Sequence, residues 1–439
     1  KLSWLAWSVL PILAAGAAWA WFSPTVRLRL FFSSGALKLA LGALIVLALA
    51  WLAALGLIQR GARSGAGRSG GRPVLSILVA VLVCGGLGWG ARLTYLQADA
   101  LDSVFARDGR PGLAVSPLTP TGLLSAERVN IMLLGLDSGL GNVNSTGPKT
   151  DTIMVASVEP STGQTVLISM PRNTARMPFP VGSALESRFL KGWFDGVNPS
   201  NPDYLLNAMY EGLPNDVDRN QLGPTDNLGA DALKLSVGAA LGLRIDYYVL
   251  IDLSVMADLI DALGGVTLNV NRSLTIPGGQ IAPGPQQHLD GATAVAFTRS
   301  IGAGDDYARM ARSRCVVQAV LSQTSPIDLT RHFIDIAQAA RSGVRSDIPA
   351  SALPQLIELA DRVRQSNVIS LQFTNNQNGF VASRPNFQRV AEQVQSAIEL
   401  ARDPAPVEPD APQDSGSLRR TADPRPLTEF CAFNPDSDW

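Results

Sequence analysis

The sequence predicts an α/β protein: three N-terminal transmembrane helices followed by an extracytoplasmic α-β-α domain with a central mixed sheet. Three observations predict it. Three nearly chargeless stretches of about twenty residues open the chain. From Glu127 onward the composition is that of an ordinary globular protein. There, short continuous apolar runs, the mark of strands buried on both faces, alternate with stretches of helical spacing.

The three apolar stretches are Leu2–Phe22, without a charge, Gly35–Ile58, with Lys38 alone, and Val74–Leu96, with Arg92 alone. Backbone polar groups in lipid must bond within the segment, so helix is the expected form. The segment Gln59–Pro73 carries Arg60, Arg63, Arg68 and Arg72 and no acid, whereas the first connection offers Arg27 and Arg29. The more basic loop is expected on the cytoplasmic side. That orients the N-terminus inward and everything after about Gln97 outward. The expected organisation is a membrane region at 1–97, a juxtamembrane connector at 98–126, a catalytic domain at 127–400 and a flexible tail at 401–439.

In the outer part, Val129–Leu136 is a buried-strand pattern ending in Gly-Leu-Asp. Thr152–Val158 and Thr165–Met170 flank the turn Glu159-Pro-Ser-Thr-Gly163 and read as a hairpin. A long Pro/Gly/Asn-rich loop follows at Met177–Arg219, with a helix near Tyr204–Glu211. Ala230–Leu241 has helical spacing, Asp246–Ile251 reads as a strand, and Leu253–Leu263 as a helix stopped by Gly264-Gly265. Val266–Val270 is a further strand; Gly291–Phe297 and Tyr307–Gln323 read as helices. Ser325–Leu400 is helical around a strand at Val368–Phe373. Beyond Arg402 the chain is Pro/Asp/Ser-rich, except for Phe430-Cys431-Ala432-Phe433, which is expected to dock back.

The chain has 439 residues, 36 basic and 37 acidic, a net charge of -1 that excludes a nucleic-acid binder held by a general basic field. Two histidines, His288 and His332, sit near no nucleophile signature, and phosphate-loop, dinucleotide and zinc patterns are missing. What remains is carboxylate and arginine chemistry, which suits phosphate: carboxylates hold Mg²⁺, and guanidinium groups take phosphate oxygens two at a time. Asp137 ends the first strand and Lys149-Thr150-Asp151-Thr152 precedes the next, so two carboxylates at adjacent strand ends can face one cation. Pro171-Arg172-Asn173-Thr174 follows the hairpin, at the sheet edge where α/β proteins bind ligands. Arg299, Asp305-Asp306, Arg309 and Arg312 come later; Arg309 and Arg312 are spaced i, i+3 and share a helix face. Each cluster alone is more often a turn, a cap or a solvated face. Of the three cysteines, Cys84 lies in an apolar run; Cys315 and Cys431 pair as a disulfide or stay free thiols, since sequence fixes no geometry.

The motifs NIMLLGLDS (130–138), KTDTIMVASVEPSTGQTVLISMPRNT (149–174), YLLNAMY (204–210), IDYYVLIDLSVMADLIDALGGVTLNV (245–270), HLDGATAVAFTR (288–299) and DDYARMARSRC (305–315) stand in the order and spacing of one family. The chain resembles the LytR–CpsA–Psr family of cell-wall glycopolymer ligases, its actinobacterial members most. The resemblance implies a phosphotransferase that moves a glycopolymer from a polyprenyl-pyrophosphate carrier in the bilayer onto peptidoglycan through a phosphodiester. It further implies Mg²⁺ on Asp137 and Asp151, and pyrophosphate contacts from Lys149, Arg172, Arg299, Asp306, Arg309 and Arg312. Asp137, Asp151, Arg172 and Arg309 are the implied catalytic set. Lys149 stands where an arginine is usual, and Ile301 where many members carry a second arginine. Two other readings are a polyprenyl-diphosphate phosphatase, with water as acceptor, and a membrane-bound transcriptional attenuator, for which the chain has no DNA-reading module.

Overall fold

The computed structural model describes residues 34–63, 72–105, 122–138, 148–198, 200–223, 225–300, 306–325, 332–402 and 424–437. The chain divides into two compact units, Lys1–Ser103 and Val104–Trp439.

In the first unit lie α1 (Ser34–Arg63) and most of α2 (Arg72–Val104). Lys38 Nζ, near the start of α1, donates to Asp102 Oδ2, near the end of α2, at 2.6 Å. The structure departs from the expected membrane region. Among the described residues no helix is long and apolar enough to cross a membrane. Helix α2 is diluted by Gly85, Gly86, Gly88 and Gly90, then by Arg92 and Gln97. Helix α1 also runs on through Arg60 and Arg63, which had been assigned to a cytoplasmic loop. The three transmembrane helices, the multi-pass topology and the orientation built on them are therefore not supported. Leu2–Phe22, Arg27 and Arg29 lie outside the described residues.

The second unit is built on a seven-stranded mixed sheet. Its elements in order are β1 (Val129–Asp137), β2 (Lys149–Val158), β3 (Thr165–Ser169), α3 (Ala184–Arg188), α4 (Met209–Asp216), α5 (Leu228–Leu241), β4 (Tyr247–Asp252), α6 (Leu253–Ala262) and β5 (Val266–Val270). There follow β6 (Leu274–Ile276), β7 (Gly279–Ile281), β8 (Gly284–Leu289), α7 (Gly291–Arg299), α8 (Asp306–Gln323), α9 (Phe333–Ala340) and β9 (Val344–Ser346). The last are α10 (Leu353–Arg364), β10 (Val368–Gln372), α11 (Phe387–Arg402), β11 (Arg425–Pro426) and α12 (Leu427–Phe430). The sheet order is β11-β10-β3-β2-β1-β4-β9; β5 pairs with β8 and β6 with β7 apart from it. Strand pairs β1–β4 and β3–β10 are parallel, the others in the large sheet antiparallel.

Side chains on a strand alternate between faces, and here both faces are buried. Met132, Leu134, Ile153, Val155, Val166, Ile168, Ile369 and Leu371 point to one side, against α4, α5 and α11. Their neighbours Leu133, Met154 and Leu167 point to the other, where α8 and α12 supply Cys315 and Leu427. That explains why the strands read as unbroken apolar runs. Helix α5 has both ends written in the sequence. Asn227 Oδ1 accepts from Ala230 N at 3.2 Å, and Gly242 takes φ 65° at the other end, where an added Cβ would stand 2.8 Å from Ala391 Cβ.

The tail returns to the sheet. Arg425 and Pro426 pair with Ser370 and Ile369 of β10, and Cys431 is bonded to Cys315 with 5.5 Å between the Cα atoms. The docking of 430–433 expected from the sequence is thus fixed by a covalent link into the middle of α8; residues 403–423 lie outside the described residues. The bridge closes a loop of 116 residues. Chain entropy assigns such a loop about 4 to 5 kcal/mol. Cys431→Ser, or reduction of the native chain, is expected to lower the denaturation midpoint by a corresponding amount in a guanidinium titration followed by circular dichroism.

Candidate active site

The site gathers at the C-terminal end of β1. Gly135 pairs with Thr152 but Leu136 pairs with Thr150, so Asp151 is an extra residue with no opposite number. Such a bulge re-aims one side chain, and here it is a carboxylate. Gly135 permits the tight pairing beside it, because a Cβ there would lie 2.9 Å from Thr152 Cβ.

Arg172 enters from the end of β3. Its loop is pinned: Thr174 Oγ1 donates to Pro171 O at 2.6 Å, Asn207 N donates to Arg172 O at 2.9 Å and Leu206 N donates to Thr174 O at 2.9 Å. The guanidinium bridges two acids. Its Nη1 donates to Asp151 Oδ1 at 2.7 Å, while Nε and Nη2 fork onto Asp306 at 3.1 and 3.0 Å. Asp306 is the first residue of α8, where the helix dipole favours a negative charge. One turn later Arg309 Nη1 donates to Asp151 Oδ2 at 3.2 Å, and its Nη2 lies 3.5 Å from Asp306 Oδ1. Two acids and two arginines from three distant stretches thus form one closed ring. Burial works against the Arg172 cation, but the flanking carboxylates of Asp151 and Asp306 outweigh it, and its pKa rises above the ordinary arginine value.

A second pair sits beside the ring. Arg299, at the end of α7, donates from Nη2 to Asp137 Oδ2 at 2.9 Å. Asp137 ends β1 directly opposite Lys149 in the register, two residues before the bulge on β2. Asp137, Lys149, Asp151, Arg172, Arg299, Asp306 and Arg309 therefore share one end of the sheet.

Arg312 does not join them. It is 1% exposed, and its guanidinium donates to the carbonyls of Phe297 at 2.8 Å and Ser300 at 2.5 Å. Burial, then the charge of Arg309, lowers its pKa to about 10. It holds the C-terminal end of α7, from which Arg299 projects. Arg314 is also buried; it donates to Ser370 Oγ and Gln372 Oε1 and stacks 3.9 Å from the centre of the Phe430 ring. Burial, then Arg425, lowers its pKa to about 9. Asp305 and Ile301 lie outside the described residues.

Two residues at this end were not singled out from sequence. Asp252 ends β4 beside Leu136, caps α6 through Ser254 N at 2.8 Å and accepts from Ser138 Oγ at 3.2 Å. Its signal was the Asp-Leu-Ser cap pattern. Asn207 carries a buried Oδ1 that has no hydrogen bond among the described residues, and accepts at its carbonyl from Thr150 Oγ1 at 3.3 Å. The inner faces of α6 and α7 are closed core: Ile260, Ala294 and Phe297 pack with Val266, Leu268 and Val270. An apolar cavity of about 330 Å³ lies elsewhere, between Pro180, the C-terminal half of α5 at Leu235 and Gly238, and Leu243 just beyond the helix.

Among the described residues no three His, Cys, Asp or Glu side chains cluster closely enough to cage a metal. Mg²⁺ is commonly held by one or two carboxylates with substrate phosphates completing its shell. Asp137 and Asp151, on neighbouring strand ends, fit that mode and no denser one.

The model of the LytR_cpsA_psr family matches residues 108–399. A relative from Enterococcus faecalis (strain ATCC 700802 / V583), named polyisoprenyl-teichoic acid–peptidoglycan teichoic acid transferase TagU, is 23% identical over 337 residues, covering 75% of this chain and 96% of that protein. The Bacillus subtilis (strain 168) protein of the same name is 24% identical over 221 residues, covering 50% of this chain and 60% of its own length. The crystal structure of B. subtilis TagV is similar at 19% identity and a TM-score of 0.42, over 63% of this chain and 98% of that one.

The two buried and exposed arginines around α7 separate positioning from solvent-exposed pairing. Arg312→Ala leaves the Phe297 and Ser300 carbonyls bare and is expected to cost about 2 to 4 kcal/mol of stability. Arg299→Ala, whose side chain is 52% exposed, is expected to cost under about 1 kcal/mol. Urea titrations of the two variants compare them directly.

Proposed function

Since the chain belongs to the LytR_cpsA_psr family, we propose that it is a phosphotransferase that moves a glycopolymer from a polyprenyl-pyrophosphate carrier onto peptidoglycan. The printed names of the E. faecalis and B. subtilis relatives support that substrate class. The observation that carries the reading is the ring of Asp151, Arg172, Asp306 and Arg309. Arginines in this ring are already aimed and partly dehydrated, and a diphosphate can exchange for the carboxylates that hold them.

In the proposed reaction, Arg172 and Arg309 bind the oxygens of the diphosphate, and Arg299 and Lys149 approach it from the Asp137 side. An acceptor hydroxyl attacks the phosphorus that bears the glycopolymer. The new P–O bond forms as the bond to the polyprenyl phosphate breaks. The hydroxyl proton passes to a site carboxylate, and polyprenyl phosphate leaves with the bond electrons. Charge spread over the transferred group in the transition state is met by the fixed guanidinium groups. Mg²⁺ would be held by Asp137 and Asp151, and when bound it would neutralise part of the diphosphate's charge. A location outside the cytoplasm is part of the proposal, supported by the Cys315–Cys431 disulfide, a bond that persists in oxidising compartments.

Arg172→Ala and Asp151→Ala, assayed with a synthetic pyrophosphate-linked lipid donor and peptidoglycan fragments, are each expected to lose transfer by about 10²-fold or more. Unchanged transfer in both discards the proposal, and free polymer phosphate in place of conjugate would make the enzyme a hydrolase. Chelation of divalent cations is expected to stop transfer by the wild-type enzyme, with Mg²⁺ restoring it; activity that persists in chelator removes Mg²⁺ from the scheme.

A further inference from the structure

On the far side of α8 from Arg309 is a polar cleft of about 490 Å³. It is bounded by β5, the bulged start of β8, the last turns of α8 and the returning tail. Its lining includes Thr267, Asn269, Gln286, Gln318, Gln323 and Thr428, and no lining residue is charged. In β5 the alternation sends Val266, Leu268 and Val270 into the core and leaves Thr267 and Asn269 facing out.

Part of this lining is locked. Gln323 clamps the β5 edge, with Oε1 accepting from Thr267 N at 2.8 Å and Nε2 donating to Thr267 O at 2.5 Å. Asn269 Nδ2 donates to Cys431 O at 2.9 Å, and its Oδ1 accepts from Gln286 N at 2.9 Å. The rest is open. Among the described residues the side-chain amides of Gln286 and Gln318 and the hydroxyl of Thr428 make no hydrogen bond within the fold.

The backbone is shaped to present them. Leu268 pairs with Gln287 and Val270 with Gly284, so two residues of the β8 segment oppose Asn269 alone. Gln286 lies in that bulge with φ 49°, a left-handed conformation costly for a side chain with a Cβ. Strain of this kind, beside a bulge and a cleft, orients a side chain the fold itself does not use. The tail wall is held by the disulfide.

We propose that this cleft binds an uncharged oligosaccharide at a site separate from the ring of ion pairs. Each carboxamide offers two donors and an acceptor, and each hydroxyl does both, which matches the donor–acceptor hydroxyls and amides of a neutral glycan. A polyanionic chain would find no cation there. The site goes beyond the phosphotransfer reading, because it uses none of the same residues.

The test is titration of the full chain with the tetramer of N-acetylglucosamine, followed by saturation-transfer NMR and calorimetry. Gln286→Ala/Gln318→Ala is expected to weaken binding at least tenfold, while Arg172→Ala leaves it unchanged. Gln318→Ala alone, at a half-buried helix position whose amide holds no contact in the fold, keeps the test sound if the double variant unfolds, and is expected to weaken binding measurably. Tetrasaccharide that does not bind the wild-type chain, or binds the double variant or the Gln318→Ala single variant equally well, overturns the assignment. Loss of binding in Arg172→Ala would place the sugar among the ion pairs and overturn it too.

Discussion

Everything at the active end of the domain turns on a carboxylate that serves two guanidinium groups at once. Asp151 reaches them because one strand carries a residue more than its partner, and the surplus residue is pushed out of the ladder. Arg172 and Arg309 meet on it from the sheet and from α8, and Asp306 closes the circuit from the helix start. With any one member gone, the remaining like charges would face each other across a few ångströms in partly dehydrated surroundings. The ring is therefore at once the proposed substrate site and the joint that sets α8 against the sheet.

Helix α8 divides its arginines by angle. Arg309 looks toward the strand ends. Arg312, about 60° round the axis, is already turned inward and secures the carbonyls below Arg299. Arg314 is turned further and lies beneath the tail. A step of three residues is close enough to look like a shared face in sequence and far enough to separate a member of the ion-pair ring from a structural brace. The three side chains differ in burial for that reason, and the lowered pKa values fall on the two that are enclosed.

Much of the second unit was legible in the sequence because its strands are buried on both sides. Runs such as Val129–Leu136 and Thr165–Met170 cannot be mistaken for amphipathic edges, and Ala230–Leu241 shows its helical spacing directly. Within family motifs, Asp151 and Arg172 were legible as strand-end residues, and Asp306 and Arg309 as residues of one helix. What escaped were features set by distance rather than by pattern. Strands β6, β7 and β9 have three residues each, too few to show a period. The role of Arg312 depends on the helix's rotation against α7. The cysteine pairing needed coordinates. At the N-terminal end, apolar composition alone was an insufficient guide: α1 carries its helix through arginines that had been read as a boundary.

The two-residue strand β11 occupies the outer side of β10. Without it β10 would present a row of unpaired amides and carbonyls to solvent, an invitation to add a strand from another molecule. A dipeptide ending in proline is a poor template for such addition, since the imide has no hydrogen to donate. The returning tail thus acts as a bung on an otherwise open ladder, and a protease that clipped it would leave a chain inclined to stick to copies of itself.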